Sequence, residues 1–232
     1  MNRGKKYLEK VTLVEDRNYS PDEAISLLKT LSFAKFDETV EVHFNLGIDP
    51  RHADQQIRGT LILPNGTGKT LKIAVITSGE KQAAAKQAGA DVVGGEDLVD
   101  QIQGGWLDFD LLITSPDMMA KVGKLGKVLG AKGLMPNPKS GTVTPNVAEA
   151  VKDFKSGKLE YKNDKAGSVH SIVGKLSFPA ENIKSNFMAL YDALVKAKPS
   201  KSKGVYLKSI SLCSTMSPGI FLEPQQVKWK EG

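Results

Sequence analysis

The stretch Leu71-Lys72-Ile73-Ala74-Val75-Ile76-Thr77 is short and almost wholly apolar. A run of this length and composition is typical of a strand that is buried on both faces. Helix-like and strand-like segments alternate after it: a helix through Ala83–Ala88 that ends at Gly89, a strand at Asp91–Val93, a helix over Glu96–Gln103 and a strand over Phe109–Thr114. This βαβα order predicts a parallel sheet covered by helices.

The sequence on either side of this section follows a different rhythm, in which apolar and polar residues alternate as they do in half-buried strands. The alternation is clearest over Val40–Ile48, and a second strand is predicted over Gln56–Leu63. After Gly157 the same pattern predicts strands at Lys158–Lys162, Val169–Phe178 and Val205–Leu212.

Two amphipathic helices are predicted in these flanking segments. Ser20 can cap the first, Pro21 suits its first turn, and Glu23 completes a capping box. The second helix has one apolar stripe, because its apolar residues recur every three or four positions: Ile183, Phe187, Leu190 and Leu194.

Two joints rich in turn-forming residues, Pro64–Gly68 and Ser156–Gly157, bracket the middle section. The sequence therefore predicts an α/β domain, residues 68–157, inserted into an α+β domain built from residues 1–67 and 158–232. A length of 232 residues is compatible with two domains of ordinary size. The joint glycines Gly66, Gly68 and Gly157 are candidates for a hinge.

The composition favours an acidic partner and gives no indication of a membrane or an oxidising compartment. Lys and Arg total 32 against 26 Asp and Glu, for a formal charge of +6 and a pI near 9.2, an excess that suits nucleic acid. Cys213 is the single cysteine, so no internal disulfide is possible. Neither a bilayer-spanning run of roughly 20 apolar residues nor an N-terminal secretory stretch is present.

No catalytic, nucleotide or metal site is predicted. Gly66–Thr70 ends like a phosphate loop, but the required earlier glycine is Leu63 and a strand, not a helix, is predicted to follow. The residues that commonly bind metals, His43, His52, His170 and Cys213, lie too far apart in sequence for the paired spacing of a zinc site. An assembly of distant residues in the fold remains open.

The segment Met118–Ala148 contains no acidic residue and five glycines. It also contains five lysines, Lys121, Lys124, Lys127, Lys132 and Lys139. Two interpretations fit: a segment whose clustered lysines concentrate positive charge and whose glycines let the backbone approach phosphates closely, or a solvated loop rich in turns. The hydroxyl-rich stretch Ser214–Gly219 also has two interpretations, an ordinary turn or a set of contacts to RNA hydroxyls and phosphates around Met216.

Four stretches are similar to the first-numbered large-subunit ribosomal proteins, the universal L-one family of the mobile stalk beside the tRNA exit site. They are Gly133-Leu134-Met135-Pro136-Asn137-Pro138-Lys139-Ser140-Gly141-Thr142-Val143, Asp164–His170, Lys35–Glu41 and Ser214–Pro218. The resemblance runs in order from about Tyr19 to Ile220. Gly130–Lys132 and Ser115–Met119 resemble plastid and cyanobacterial members.

The resemblance implies a fold and a set of RNA contacts. The fold is a discontinuous split βαβ (ferredoxin-like) RNA-binding domain with an inserted Rossmann-like three-layer domain around a parallel sheet. The family's RNA-binding positions match Lys35, Phe36, Glu38, Thr39, Lys165, Ser168, His170, Ser211, Thr215, Met216, Ser217, Pro218 and Gly219. One departure concerns Ser217, where the family usually has glycine, so its hydroxymethyl group must point away from RNA or find a partner.

The resemblance also implies a function without catalysis or cofactors. The chain is expected to be a structural constituent of the large ribosomal subunit that binds the rRNA of the stalk and assists release of deacylated tRNA from the exit site. Bacterial members can also bind their own messenger and repress its translation. The expected location is the ribosome of the plastid stroma or, alternatively, of the bacterial cytoplasm.

Two rival functions remain open from the residues. One is a non-ribosomal RNA-binding regulator. The other is a dinucleotide-dependent enzyme, which needs Gly-x-Gly-x-x-Gly after the first buried strand, whereas residues 77–81 supply Gly79 alone.

Overall fold

The structure is a computed structural model and describes residues 4–79 and 81–224. The strands are β1 (Thr39–Leu46), β2 (Arg58–Ile62), β3 (Ile73–Ile76), β4 (Val92–Gly94), β5 (Leu111–Thr114), β6 (Lys158–Lys162), β7 (Ser168–Lys175), β8 (Leu207–Ser214) and β9 (Ile220–Leu222). The helices are α1 (Lys5–Val11), α2 (Pro21–Leu31), α3 (Lys81–Gln87), α4 (Glu96–Gln103), α5 (Met119–Val122), α6 (Gly126–Lys132), α7 (Val147–Lys155) and α8 (Ala180–Lys196).

The chain folds into two compact units. Of the described residues, one unit contains those up to Gly68 and from Tyr161 onward, and the other contains those between Lys69 and Glu160. The first holds an antiparallel sheet and the second a parallel one. The predicted mixture of α/β and α+β structure is therefore confirmed.

The antiparallel sheet of the first unit has the order β7-β1-β8-β9. Its two central strands come from opposite ends of the sequence, and α2 and α8 pack against one of its faces. The predicted capping box of α2 is confirmed, since Ser20 Oγ accepts from Glu23 N at 3.4 Å and Glu23 Oε2 accepts from Ser20 N at 3.1 Å.

Alternation along β1 places the apolar side chains against these helices. Phe44 of β1 stacks on Phe187 of α8 with ring centroids 6.1 Å apart, and both are buried. Burying a phenylalanine of this kind stabilises a fold by about 1.5–3 kcal/mol. The register of β1 is therefore strongly specified, because a shift of one residue would expose every apolar side chain on the strand.

A parallel sheet of order β4-β3-β5 forms the centre of the second unit. Side chains of β3 alternate between two cores: Ala74 and Ile76 pack with α4, α5 and α6, while Ile73 and Val75 pack with α3 and α7. All four side chains are buried, which explains the continuous apolar run that predicted this strand. The joint that resembles a phosphate loop leads into β3 rather than into a helix, as predicted.

Some elements differ from the sequence-based predictions. The interpretation of the lysine-rich segment as a solvated loop is wrong for its first half, which forms α5, a 3-10 turn at Gly123–Leu125, and α6. Its buried residues recur at helical spacing: Met118, Val122, Leu125 and Leu129. Within the described residues, none of the helices is long and apolar enough to cross a membrane.

Candidate nucleic-acid interface

The face of the antiparallel sheet that points away from α2 and α8 is polar and partly open to solvent. The register places His43 of β1 opposite His170 of β7 and Ser211 of β8, and places Ser211 opposite Phe221 of β9. Asn45 lies one step along, opposite Ser168. We call this surface the open face. It is about 20 Å long between Thr39 and Asn45, at roughly 3.3 Å per residue.

At one edge of the open face, Glu38 connects the segment before β1 with the turn that follows β8. Its carboxylate accepts hydrogen bonds from Ser32 Oγ (3.0 Å) and Ala34 N (3.3 Å) on one oxygen, and from Ser214 Oγ (2.5 Å) and Met216 N (3.0 Å) on the other. Burial alone would raise the pKa of Glu38, but these four donors outweigh it and hold the pKa below its ordinary value. The side chain is fully buried, so Glu38 positions its neighbours and does not itself face a ligand.

Thr39 and Thr215 continue this connection beside Glu38. Thr39 N donates to Thr215 Oγ1 at 3.0 Å, and Thr215 N donates to the Thr39 carbonyl at 3.1 Å. Lys175 Nζ donates to Thr39 Oγ1 at 2.9 Å, which brings a cation to the same edge. The turn after β8 is therefore held to the start of β1 by main-chain and side-chain bonds together.

Ser217 finds its partners within this turn. Its hydroxyl accepts from Ser214 N at 2.8 Å and donates to the Pro218 carbonyl at 3.2 Å. The Ser217 backbone has no left-handed φ, so glycine has no conformational advantage at this position. Where the family usually has glycine, the serine side chain therefore forms hydrogen bonds that stabilise the turn.

We expect Ser217→Gly to lower the free energy of unfolding by about 1–2 kcal/mol, because it removes a partly buried hydrogen bond and frees the unfolded backbone. Affinity for RNA is expected to change less than about threefold, since the hydroxyl is used inside the turn. Urea denaturation and filter binding of the same preparations measure the two effects. An unchanged stability together with a large loss of affinity would contradict this role.

The remaining predicted residues vary in exposure. Phe36 is 57% exposed and Met216 is 46% exposed, so both apolar side chains are available for contact with a partner. Lys35, Lys165 and Gly219 are exposed as well. Pro218, by contrast, is buried, and its contribution is to shape the turn.

The loop before β7 presents Lys165 at its tip. Asp164 Oδ1 accepts from Ala166 N and Ser168 N, both at 2.8 Å. The hydrogen bond from Ser168 is the main reason why the pKa of Asp164 lies below its ordinary value. A positive φ at Gly167 completes the turn. Lys165 therefore extends from a rigid loop at the end of the open face opposite to Glu38.

A relay of polar side chains crosses the middle of the open face. His170 Nε2 lies 3.4 Å from Asp164 Oδ2, the Nδ1 atoms of His170 and His43 are 2.9 Å apart, and His43 Nε2 lies 3.3 Å from Cys213 Sγ. Burial lowers the pKa of His43, and the neighbouring His170 lowers it further. Burial likewise raises the pKa of Cys213 to about 11, so both shifts favour the neutral forms of these side chains.

The predicted RNA-binding residues thus come together on one sheet and its adjoining loops, whereas the secondary basic segment belongs to the other unit. Lys124, Lys127, Lys132 and Lys139 are exposed there, while Lys121 pairs with Glu96. Sequence reasoning did not identify Glu41, His43 and Cys213 as site residues. The alternation of β1 could have indicated the first two, because it assigns them to the same face as Thr39.

Comparison with known protein families gives one match that covers most of the chain. A model described as the "Ribosomal protein L1p/L10e family" matches residues 28–218. This chain belongs to the ribosomal protein L1 family. The family consists of structural ribosomal proteins, and the chain is accordingly not an enzyme.

A bacterial member of the L1 family shows how far the likeness extends. The protein named "Large ribosomal subunit protein uL1" of Solibacter usitatus (strain Ellin6076) is 54% identical over 221 residues. These residues make up 95% of this chain and 93% of the relative. The similarity therefore includes both compact units and the resemblance is to a bacterial type of L1 protein.

Proposed function

We propose that this chain is a structural constituent of the large ribosomal subunit and binds large-subunit rRNA through the open face and the loops at its two ends. The observation that carries this proposal is the convergence of three distant segments on one surface. Glu38 and Thr39 bind directly to the 214–217 turn, and His43 brings His170 beside the same strand.

The chemistry of the surface suits folded RNA. Thr215, Ser211 and Ser168 offer hydroxyls for phosphate and 2′-hydroxyl groups, and Lys35 and Lys165 add charge at the two ends. The exposed Phe36 and Met216 are suited to pack on an unstacked base or a ribose. Recognition by shape is favoured because the hydrogen bonds through Glu38 keep these groups in place before RNA arrives.

We further propose that the two units have different functions. The discontinuous unit serves as the split βαβ RNA-binding domain, and the inserted unit serves as a Rossmann-like domain that moves with the stalk as deacylated tRNA leaves the exit site. Gly66, Gly68 and Gly157 all have positive φ values. Asn186 of α8 holds the Gly66 carbonyl at 2.9 Å, so the proposed hinge rotation occurs after this anchored residue.

The remaining partners follow from the same surface. Binding of the chain's own messenger, with repression of its translation, requires only an RNA that presents the same shape as the rRNA site. The plastid stroma and, alternatively, the bacterial cytoplasm stay predictions for its location. The exposed lysines of the inserted unit are proposed to add contacts to phosphates without sequence preference.

Sedimentation of the chain with large ribosomal subunits tests the proposal against that of a non-ribosomal regulator. We expect the protein to remain bound through a high-salt wash, because shape-specific contacts depend less on salt than charge attraction does. The measurement is the fraction of protein in the ribosomal pellet as salt rises. Complete release at moderate salt, with binding to unrelated RNA at equal strength, would favour the regulator.

A further inference from the structure

Three side chains of the open face form a cluster with the composition of a metal site. Glu41, His43 and Cys213 each offer one ligand atom, and these atoms lie within 4.8 Å of one another. The sequence predicted no such site because residues 43 and 213 are far apart along the chain. The sheet register brings them together. Cys213 of β8 lies directly opposite Glu41 of β1, and His43 lies two residues further along β1, on the same face of the sheet.

The separation of the two strongest ligands agrees with tetrahedral zinc. In such a site the Zn–S distance is about 2.3 Å and the Zn–N distance about 2.0–2.1 Å, which places sulfur and nitrogen roughly 3.5 Å apart. His43 Nε2 and Cys213 Sγ are 3.3 Å apart. All three residues are partly exposed, so an ion can reach them without unfolding the sheet.

The hydrogen bonds from Asp164 through His170 to His43 are compatible with the His43 tautomer that a metal requires. If His170 Nε2–H donates to Asp164, His170 Nδ1 is left to accept from His43 Nδ1–H. His43 Nε2 then carries a free lone pair directed at Cys213. Metal-binding histidines usually have their second ring nitrogen held in this way by an outer partner.

We propose that Glu41, His43 and Cys213 bind a single Zn²⁺ ion on the open face, with His170 and Asp164 as the outer partners that orient His43. One thiolate, one imidazole and one carboxylate match the borderline-soft preference of zinc, and three protein ligands leave the fourth position to water. Binding replaces the thiol proton of Cys213, which is released to solvent. An occupied site adds positive charge at Cys213, which lies two residues after Ser211 and two residues before Thr215 in the sequence.

Cobalt serves as the probe of this site, because tetrahedral Co²⁺ has visible absorption bands and a thiolate bound to it gives a near-ultraviolet charge-transfer band. The full-length protein is titrated with Co²⁺ and then with Zn²⁺. We expect one Co²⁺ to bind per chain and to give the visible absorption bands and the charge-transfer band. Both sets of bands should disappear as Zn²⁺ displaces the cobalt. Since Cys213 is the single cysteine, the band reports on this residue alone.

Substitutions decide whether the ligands are those proposed. Cys213→Ser should abolish the charge-transfer band, and His43→Gln and Glu41→Gln should each weaken Co²⁺ binding at least tenfold. His170→Gln should weaken it by about tenfold through the lost orientation of His43. The matched control is His52→Gln, an exposed histidine beside Asp49, which should leave binding unchanged. Thermal melting without metal verifies that each variant is folded.

Three results would overturn the proposal. They are the absence of a charge-transfer band in the wild-type protein, a stoichiometry of one metal per two chains, and undiminished binding by folded His43→Gln and Glu41→Gln. The second result would show that cysteines of two molecules share the ion. The third would place the ion on other residues.

Discussion

Glu38→Gln is expected to lower the free energy of unfolding by about 2–4 kcal/mol and the affinity for an rRNA stalk fragment by more than tenfold. The carboxylate is buried where the segment before β1 meets the turn after β8, and each of its oxygens accepts two hydrogen bonds. An amide has one acceptor oxygen and a donating nitrogen. The substitution therefore leaves two of the four donors facing a group that cannot accept.

The loss of affinity should follow from the displaced turn. Ser214 Oγ and Met216 N bind one carboxylate oxygen of Glu38, so the wrong amide orientation releases the residues proposed to contact RNA. Hydrogen bonds to a charged group contribute about 1.5–3 kcal/mol each, and an unsatisfied buried donor costs about 1–3 kcal/mol. Urea denaturation measures the stability, and filter binding to the RNA fragment measures the affinity.

The pH dependence provides an internal check on this explanation. The pKa of Glu38 is lowered in the folded protein from its ordinary value of 4.5, so its stabilising effect is present above that value. It is lost as the pH falls through the folded-state pKa. The difference between wild type and Glu38→Gln should therefore narrow in acid, whereas Glu9→Gln on the exposed side of α1 should show little effect at any pH. A constant difference down to the lowest pH would refute the charged hydrogen-bond network.

The sequence predicted those parts of the fold that depend on local patterns. The capping box at Ser20, the alternation of β1 and the apolar run of β3 each identify an element from adjacent residues. Helix α4 begins and ends at the predicted residues Glu96 and Gln103. The burial of one face is sufficient to produce these patterns, whatever the rest of the chain does.

The features missed from the sequence have two physical causes. The helices of the lysine-rich segment were not predicted because Gly123, Gly126 and Gly130 lower its helix propensity. The spacing of its apolar residues is nevertheless helical. Contacts across the sheet leave no local trace: Glu38 and Ser214 are 176 residues apart, as are Thr39 and Thr215. The burial of Glu38 and the pairing of His43 with Cys213 therefore required the register of β1 and β8.

The double variant Thr215→Ala/Met216→Ala is expected to weaken binding to the rRNA stalk fragment by roughly a hundredfold, Met216→Ala alone by roughly tenfold or more, and Thr215→Ala alone by about twofold to tenfold. A lost stacking contact costs about 1–3 kcal/mol and a lost hydrogen bond about 0.5–1.5 kcal/mol. Met216 is exposed, so its truncation should change the unfolding free energy by less than about 0.5 kcal/mol. For Met216→Ala, loss of affinity without loss of stability would distinguish an RNA contact from a residue that only supports the turn. Thr215→Ala also removes the hydrogen bond from Thr39 N, so its unfolding free energy is expected to fall by about 0.5–1.5 kcal/mol as well.

The matched control is Lys124→Ala/Lys127→Ala, which removes two exposed charges from the inserted unit. It should weaken binding less than about threefold at physiological salt, and the loss should shrink further as salt rises, because these lysines act through charge attraction. The Thr215 and Met216 variants should show the same relative loss at every salt concentration. Equal losses in both double variants would move the specific RNA site away from the open face, since a surface that recognises shape cannot be replaced by charge alone.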